Sequence, residues 1–170
     1  MIRRQYGEPC GPAAGAPDSA AVFRTVGNSD FGQLSFCDVQ KRSVFYAHPQ
    51  NRFWKTVAAV FAAPVPGNLE QKKELILQNR LALWDVIASC EITGSSDSSV
   101  RHVTPTDLSV IFASAPIRRV FVNGKTAARV YRRYQLPRTG MEAVCLPSTS
   151  PANAAWSQAQ LVEAWMRLRE

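Results

Sequence analysis

The sequence lacks the short motifs that mark several large enzyme classes. Its 170 residues contain no G-x-S-x-G segment, no phosphate-binding G-x-x-x-x-G-K-[ST] segment and no G-x-G-x-x-G segment. Those segments would indicate a nucleophilic serine, a nucleoside triphosphate site and a dinucleotide site, respectively. The two histidines, His48 and His102, do not lie at a spacing typical of metal ligands. A mechanism that needs little covalent chemistry therefore fits the chain better than a catalytic triad.

Paired cysteines and long apolar runs are also missing. The cysteines are scattered without a C-x-x-C pair, which argues against a zinc or iron–sulfur site; they are Cys10, Cys37, Cys90 and Cys145. No run approaches the roughly 18 consecutive apolar residues that span a membrane. The basic start at Arg3 and Arg4 is not followed by the apolar segment of a secretory signal. We therefore expect a cytoplasmic protein with free thiols, no metal, no cofactor and no membrane contact.

Negative charge is scarce relative to positive charge. The formal net charge is +7 and the isoelectric point is about 9.6, a balance that favours an anionic partner, most often nucleic acid. The alternative is that the charge serves solubility alone and that the basic residues form a solvated face. Several arginines in the second half of the chain could attract phosphates: Arg118, Arg119, Arg129, Arg132, Arg133 and Arg138.

The patterning predicts one α/β domain over residues 44–170, preceded by a flexible or atypical segment over residues 1–43. The first twenty residues are rich in Gly, Pro and Ala; a short strand is predicted over 21–26 and a turn over 27–30. Apolar periodicity then predicts the following elements: helices after Pro49 and over 69–80, 106–114, 126–134 and 157–169, and strands over 81–88, 119–123 and 141–146.

This alternation predicts a three-layer α/β/α architecture with a central, mostly parallel sheet, and we expect a monomer. Ligands of such sheets bind at the carboxyl ends of the strands. Three features lie at or beside predicted strand ends: Asp85, the pair Asn123–Gly124, and the loop Pro147–Ala152.

The most specific signal is the segment Tyr46–Trp54, which reads Y-A-H-P-Q-N-R-F-W. It closely resembles the H-P-x-N-R-F-W segment of the mismatch-specific uracil-DNA glycosylase and hypoxanthine-DNA glycosylase branches of the uracil-DNA glycosylase superfamily. The segment Leu146–Asn153, L-P-S-T-S-P-A-N, is similar to the hypoxanthine-type version of the superfamily's second motif. Leu83–Val86 and Asp97–Arg101 also resemble that branch. The resemblance covers residues 44–170 in the right order.

The resemblance implies a DNA-repair glycosylase with a uracil-DNA glycosylase-like fold. It would hydrolyse the N-glycosidic bond of a flipped, deaminated base in DNA, with hypoxanthine as the preferred base and uracil or xanthine remaining open. It implies that Asn51 is the catalytic residue, which positions water or the base, and that Asp85, His48 and Tyr46 contact the base. The loop would wedge the duplex with its six residues: Pro147, Ser148, Thr149, Ser150, Pro151 and Ala152.

One departure from the family keeps an alternative open. The family begins with a buried strand that ends in a Gly-Ser-x-Pro loop ahead of H-P-x-N, and no such motif is visible here. The chain could therefore be a catalytically impaired DNA-binding relative. A third interpretation is a nucleotide- or base-binding enzyme unrelated to DNA.

The motif residues also have purely structural interpretations. Asn51 could cap a helix, Asp85 could be a hydrogen-bonded structural carboxylate, and His48 could pack locally. Phe53 and Trp54 favour core positions over a stacking platform.

Overall fold

The computed structural model describes residues 19–24, 46, 48–92 and 100–170. Its strands are β1 Ser19–Arg24, β2 Leu81–Asp85, β3 Ile87–Ile92, β4 Val100–Pro105, β5 Ile117–Asn123 and β6 Ala143–Leu146. Its helices are α1 Phe53–Val60, α2 Leu69–Gln78, α3 Ser109–Ser114, α4 Lys125–Val130, α5 Leu136–Thr139 and α6 Gln158–Trp165. A π-helical turn, Tyr131–Gln135, joins α4 to α5, and the 3₁₀ turn Met166–Arg169 follows α6.

The main sheet has four parallel strands in the order β2-β1-β5-β6. A separate antiparallel pair is formed by β3 and β4. The predicted strand over 81–88 is therefore two strands: β2 ends at Asp85, Val86 is buried at the junction, and β3 begins at Ile87. An apolar run alone does not reveal a change of direction, because both strands contribute apolar residues to it. The α/β class with a mostly parallel sheet is confirmed.

The strand β1 occupies an interior position in the sheet. Its backbone pairs with β2 on one side and with β5 on the other. In the pairing with β2, Ala20 lies opposite Leu81 and Arg24 lies opposite Asp85. It overlaps the predicted short strand over 21–26 and lies inside the segment 1–43 that the sequence sets apart. A strand ahead of the H-P-x-N segment is therefore present, although no Gly-Ser-x-Pro motif follows it. The predicted turn over 27–30 lies outside the described residues.

Each face of the sheet carries its own apolar core, which gives the predicted three layers. On one face α1, α2 and α6 pack over side chains such as Leu83 and Phe121, both at most 2% exposed. On the other face α3, α4 and the π-helical turn pack over side chains such as Ala82 and Val122. Because side chains alternate along a strand, neighbouring residues of β2 and of β5 supply opposite cores.

Two predicted helices differ in detail from the observed ones. The helix predicted over 126–134 is divided by the wider π-helical turn, whose last residue, Gln135, is 1% exposed. The Gln135 side-chain amide donates to the carbonyls of Val86 (3.3 Å) and Thr106 (2.8 Å). The turn thereby satisfies one backbone carbonyl between β2 and β3 and one just after β4.

The helix predicted over 106–114 begins later than expected, at Ser109. Neither Thr106 nor Asp107 is its N-cap residue, a position that Leu108 occupies. The Asp107 carboxylate still accepts a hydrogen bond from the backbone N–H of Ser109 (3.0 Å). Hydrogen bonding to Ser109 lowers the pKa of Asp107 because it favours the charged form.

Gly124 joins β5 to α4 in a conformation that strongly favours glycine. Its φ is 92° and its ψ is 164°, a region that other residues essentially never occupy. A Cβ atom there would lie 2.9 Å from the Cβ of Ser148, closer than two carbon atoms can approach. The absence of a side chain at 124 therefore lets the loop after β6 lie against the end of β5.

We predict that G124A lowers the free energy of unfolding by about 3 kcal/mol, because it combines backbone strain with a clash. The matched control is G140A, since Gly140 also has a positive φ (66°), but a Cβ atom added to it would meet no other atom within 4 Å. G140A should lower the free energy of unfolding by only about 1 kcal/mol. Urea denaturation of both variants measures the difference, and equal losses would contradict the clash.

Candidate active site

Three strands of the parallel sheet end in polar residues or loops at one edge. The last residues of β2, β5 and β6 are Asp85, Asn123 and Leu146. Because these strands are parallel, their carboxyl ends lie at the same edge of the sheet. Asp85 is half-buried, and β1 separates its strand from β5. The features predicted at strand ends therefore share one edge of the fold.

The segment before α1 forms a tight turn. The backbone N–H of Asn51 donates to the His48 carbonyl (2.9 Å), and the N–H of Gln50 donates to His48 Nδ1 (3.2 Å). Pro49 lies in this turn, ahead of the first helical residue, Phe53. His48 is half-buried and its contacts here are local ones.

The Asn51 side chain makes structural hydrogen bonds through its oxygen and leaves its NH₂ group available. Its Oδ1 accepts from the backbone N–H of Phe53 (3.0 Å) and from the hydroxyl of Thr149 (3.0 Å). The first bond satisfies the first amide of α1, as a helix cap does. Within the described part of the chain, Asn51 Nδ2 has no hydrogen-bond partner, and the side chain is partly exposed. Capping and a functional role are thus compatible.

A hydrogen-bond network, which we call the amide network, joins Asn51, Thr149, Asn123 and Tyr46. Asn123 Nδ2 donates to Thr149 Oγ1 (2.9 Å) and to the Tyr46 hydroxyl (3.0 Å). Asn123 Oδ1 accepts from the backbone N–H of Thr149 (3.0 Å). Thr149 is fully buried, so these bonds supply partners that water cannot. The network ties the end of β5 to the turn before α1 and to the loop after β6.

Tyr46 is part of the core as well as of the network. It is 6% exposed, and its ring stacks on Phe53 with ring centroids 3.8 Å apart. Phe53 and Trp54 are also buried. The structure therefore places these three rings in packing contacts, while the predicted contact of Tyr46 with a base stays a prediction.

The loop after β6, residues 147–153, is held in shape by its own polar groups. The backbone N–H of Ser150 donates to Ser148 Oγ (3.2 Å), and that of Ala152 donates to Ser150 Oγ (3.3 Å). Asn153 Nδ2 donates to the Ser148 carbonyl (2.8 Å). Pro147 accepts from the indole N–H of Trp165 in α6 (3.0 Å). The loop is therefore ordered before any ligand binds, which reduces the entropy lost on binding.

Arg52 connects this loop to the turn before α1. Its guanidinium donates to the carbonyls of Ser150 (3.0 Å) and Asn153 (2.9 Å), and also to the carbonyl of Trp156. Its backbone N–H donates to the Thr149 carbonyl (3.1 Å). A planar fork with several donors suits such convergent carbonyls. Arg52 thus makes the two motif segments one structural unit.

Sequence reasoning misses two of these connections. The sequence identifies Asn123 only as a residue at the end of a strand, and Arg52 only as one position of the H-P-Q-N-R-F-W motif. The separations along the chain explain this, because Thr149 and Asn51 are 98 residues apart and Arg52 and Trp156 are 104 apart. The structure brings Asn51, Tyr46 and the loop together, whereas Asp85 lies at the same edge on the far side of β1.

The described residues include no group of three or more His, Cys, Asp or Glu side chains able to hold a metal ion. Desolvation raises the pKa of the Cys145 thiol, with Lys125 and Arg132 acting in the opposite direction. At neutral pH this thiol is therefore protonated and a weak nucleophile.

No helix in the part of the chain that the structure describes has the length and apolar character needed to cross a membrane.

Comparison with known proteins finds similar sequences and a similar fold, although no family model matches the chain. A hypoxanthine DNA glycosylase of Methanosarcina acetivorans is 29% identical over 131 residues, which cover 75% of this chain and 80% of that protein. One from Methanosarcina barkeri is 26% identical over 117 residues, covering 66% and 72%.

A solved structure supports the same fold. The solution NMR structure of a candidate uracil DNA glycosylase from Methanosarcina acetivorans matches with a TM-score of 0.66 and 24% identity. The match covers 96% of this chain and 98% of that one. The fold is thus that of the uracil-DNA glycosylase class of α/β proteins. In sequence the chain is similar to hypoxanthine DNA glycosylases, as the H-P-Q-N-R-F-W and P-S-T-S-P-A segments predicted.

We predict that R52K lowers the free energy of unfolding by about 1–3 kcal/mol, because a lysine cannot supply the planar fork to several carbonyls. K55R, at an exposed position of α1, is the control and should change it by less than about 0.5 kcal/mol. Urea denaturation gives both values. Hydrogen exchange at the backbone N–H of Asn153 should also become faster in R52K. Unchanged stability together with an unchanged exchange rate would contradict the connecting role of Arg52.

Proposed function

We propose that the protein is a monofunctional DNA glycosylase that hydrolyses the N-glycosidic bond of a deaminated base, with hypoxanthine preferred and uracil or xanthine as further candidates. The observation that carries this proposal is the amide network, which joins Asn51 to Thr149 at the carboxyl edge of the sheet. The likeness to hypoxanthine DNA glycosylases supports the class of substrate.

The loop after β6 is suited to stabilise an extruded nucleotide. A base must leave the stack before an enzyme can reach it, and unstacking costs a few kcal/mol. The loop Pro147–Ala152 is ordered by Arg52 and by its own serines, so it can fill the vacated space without much further loss of entropy. Its serine hydroxyls retain hydrogens that can be donated to phosphates.

Asp85 fits the recognition of a deaminated base. Deamination of adenine places a hydrogen on ring nitrogen N1, and uracil and xanthine carry a comparable ring N–H. An ionised carboxylate only accepts hydrogen bonds. It would therefore favour these bases over adenine, whose N1 is itself an acceptor. His48, which is partly exposed in the turn before α1, is a further candidate for contact with the base.

Cleavage of the bond builds positive charge on the sugar and negative charge on the leaving base. Preorganised dipoles and a positioned water can supply most of the stabilisation that this transition state needs. Asn51 is held at the site by two hydrogen bonds and can contribute such a dipole. The reaction needs no cofactor and no covalent intermediate with the protein.

Contacts with the DNA backbone would come from exposed basic side chains. Lys125 begins α4 and is separated from the end of β5 by Gly124 alone, and the exposed Arg132 and Arg133 follow it on the π-helical turn. We expect the protein to act on DNA as a monomer in the cytoplasm.

A DNA-binding relative without glycosylase activity is the alternative. The observation that favours it is the sequence after β1, where Gly27-Asn28-Ser29-Asp30 stands in place of Gly-Ser-x-Pro. The strand itself is present, so the alternative concerns the loop and not the fold.

The first test is incubation of the protein with duplex oligonucleotides that contain hypoxanthine, uracil or xanthine, followed by cleavage at abasic sites. We expect base release, fastest with hypoxanthine. N51A should abolish release while the protein still binds the same DNA, with a rise in the dissociation constant of at most about tenfold, as expected for the loss of one hydrogen bond. Undiminished release by N51A would remove Asn51 from the mechanism, and binding without any release by the wild type would favour the inactive relative.

The second test is the dependence of binding on salt. If phosphates are the partners, the logarithm of the binding constant for duplex DNA falls linearly with the logarithm of the salt concentration, with a slope of about −0.9 per phosphate contact. R132A combined with R133A should reduce this slope by up to about two. Tight, salt-insensitive binding of free nucleotides would instead support a nucleotide-binding enzyme unrelated to DNA.

A further inference from the structure

We propose that Asn51 acts as a hydrogen-bond donor to the extruded base, and that Thr149 and Asn123 are positioning residues that hold it in this orientation. The inference rests on the proposed glycosylase function and decides between two roles for Asn51. One role is to orient or activate the attacking water through its oxygen. The other is to bind an acceptor of the base through its amide hydrogens.

The orientation of the Asn51 amide is fixed by the backbone. The N–H of Phe53 lies 3.0 Å from the side-chain atom it contacts, and a backbone N–H can only donate. The contacted atom must therefore be the oxygen, because an amide NH₂ group cannot accept. This fixes which of the two nearly indistinguishable ends of the amide points toward α1.

The same orientation follows independently from the other end of the network. The backbone N–H of Thr149 donates to Asn123 Oδ1, which leaves Asn123 Nδ2 to donate to Thr149 Oγ1 at 2.9 Å. The Thr149 hydroxyl accepts that bond and has one hydrogen, which it donates to Asn51 Oδ1. Two backbone N–H groups, at Phe53 and Thr149, thus impose one direction on the whole chain of bonds.

Asn123 has no freedom to reverse this direction. Both hydrogens of its NH₂ group are engaged, one by Thr149 and one by the Tyr46 hydroxyl at 3.0 Å. Tyr46 is in turn fixed by its stacking on Phe53. Since Thr149 is fully buried, breaking either bond of its hydroxyl would leave a polar group without a water partner, which is unfavourable.

The consequence concerns the open end of Asn51. Its oxygen has two lone pairs, and Phe53 and Thr149 engage both. What it can offer a ligand is the NH₂ group, which binds acceptors such as O6 or N7 of hypoxanthine. Negative charge grows on the base as the glycosidic bond breaks, so this hydrogen bond strengthens in the transition state. An amide nitrogen cannot accept a hydrogen from the attacking water.

The decisive variant is N51D. Aspartate can keep one oxygen on Phe53 and Thr149 and present its second oxygen where the NH₂ group was, so the outward group changes from donor to acceptor. We expect the single-turnover rate of hypoxanthine release to fall by about 100-fold or more. A rate for N51D equal to or above that of the wild type would overturn the proposal, because an outward acceptor would then suffice.

A matched pair at position 149 tests the positioning role. T149V keeps the shape of the side chain but removes the hydroxyl, whereas T149S keeps the hydroxyl and removes the methyl group. We expect T149V to lower the single-turnover rate by at least tenfold with little change in the dissociation constant for DNA. T149S should recover most of that loss. If T149S is the slower of the two, Thr149 acts by packing and the proposed relay is wrong.

A binding measurement separates this proposal from the proposed function. The probes are a duplex with uncleavable 2′-fluoro-deoxyinosine and the same duplex with a stable abasic-site analogue. We expect the wild type to prefer the first, and N51D to reduce the affinity ratio about tenfold. If the wild type releases no base yet shows this ratio and its loss in N51D, the glycosylase activity fails and the donor role stands. A wild-type ratio near one, or a ratio that N51D leaves unchanged, would overturn the donor role.

Discussion

The buried hydroxyl of Thr149 is the contact on which the site depends. It accepts from Asn123 at the end of β5 and donates to Asn51 before α1, so three separate segments meet at one oxygen atom. A fully buried hydroxyl must be satisfied by protein partners. Here its two hydrogen bonds also determine how the amide groups of Asn123 and Asn51 are oriented. Stability and the proposed function of Asn51 therefore depend on the same atoms, and the loop cannot shift without disturbing the Asn51 amide.

Much of the architecture could be predicted because apolar periodicity reports burial. The alternation of helical and strand patterns indicates the α/β class, and β5 and β6 lie within a few residues of their predicted bounds. The single predicted strand over 81–88 was wrong because the change of direction at Val86 leaves no mark in an apolar run. β1 is visible only as a weak pattern, since its interior position depends on pairing with β2 and β5 and not on its own composition.

The candidate site could be predicted as a set of separate motifs, but its connections could not. The turn at His48–Arg52 and the loop Pro147–Ala152 each carry a specific local sequence, which is what a resemblance can detect. Their joining through Arg52 and Thr149 spans about a hundred residues of chain, and no local pattern encodes such a contact. Which end of the Asn51 amide faces outward could not be predicted from residue types. It follows from the positions of two backbone N–H groups, those of Phe53 and Thr149.

The placement of β1 has a consequence for how the chain folds. β2 and β5 do not pair with each other, because the earliest strand of the sheet lies between them. The consecutive strands β1 and β2 of this sheet pair with each other, as do β5 and β6, but these two pairs join into one sheet only through the long-range pairing of β1 with β5. During synthesis β1 can pair with β2 first, but it has to wait for its second partner, β5, from the second half of the chain, which raises the contact order and slows folding. A chain released before β5 is made would expose the unpaired edge of β1, and such edges favour aggregation.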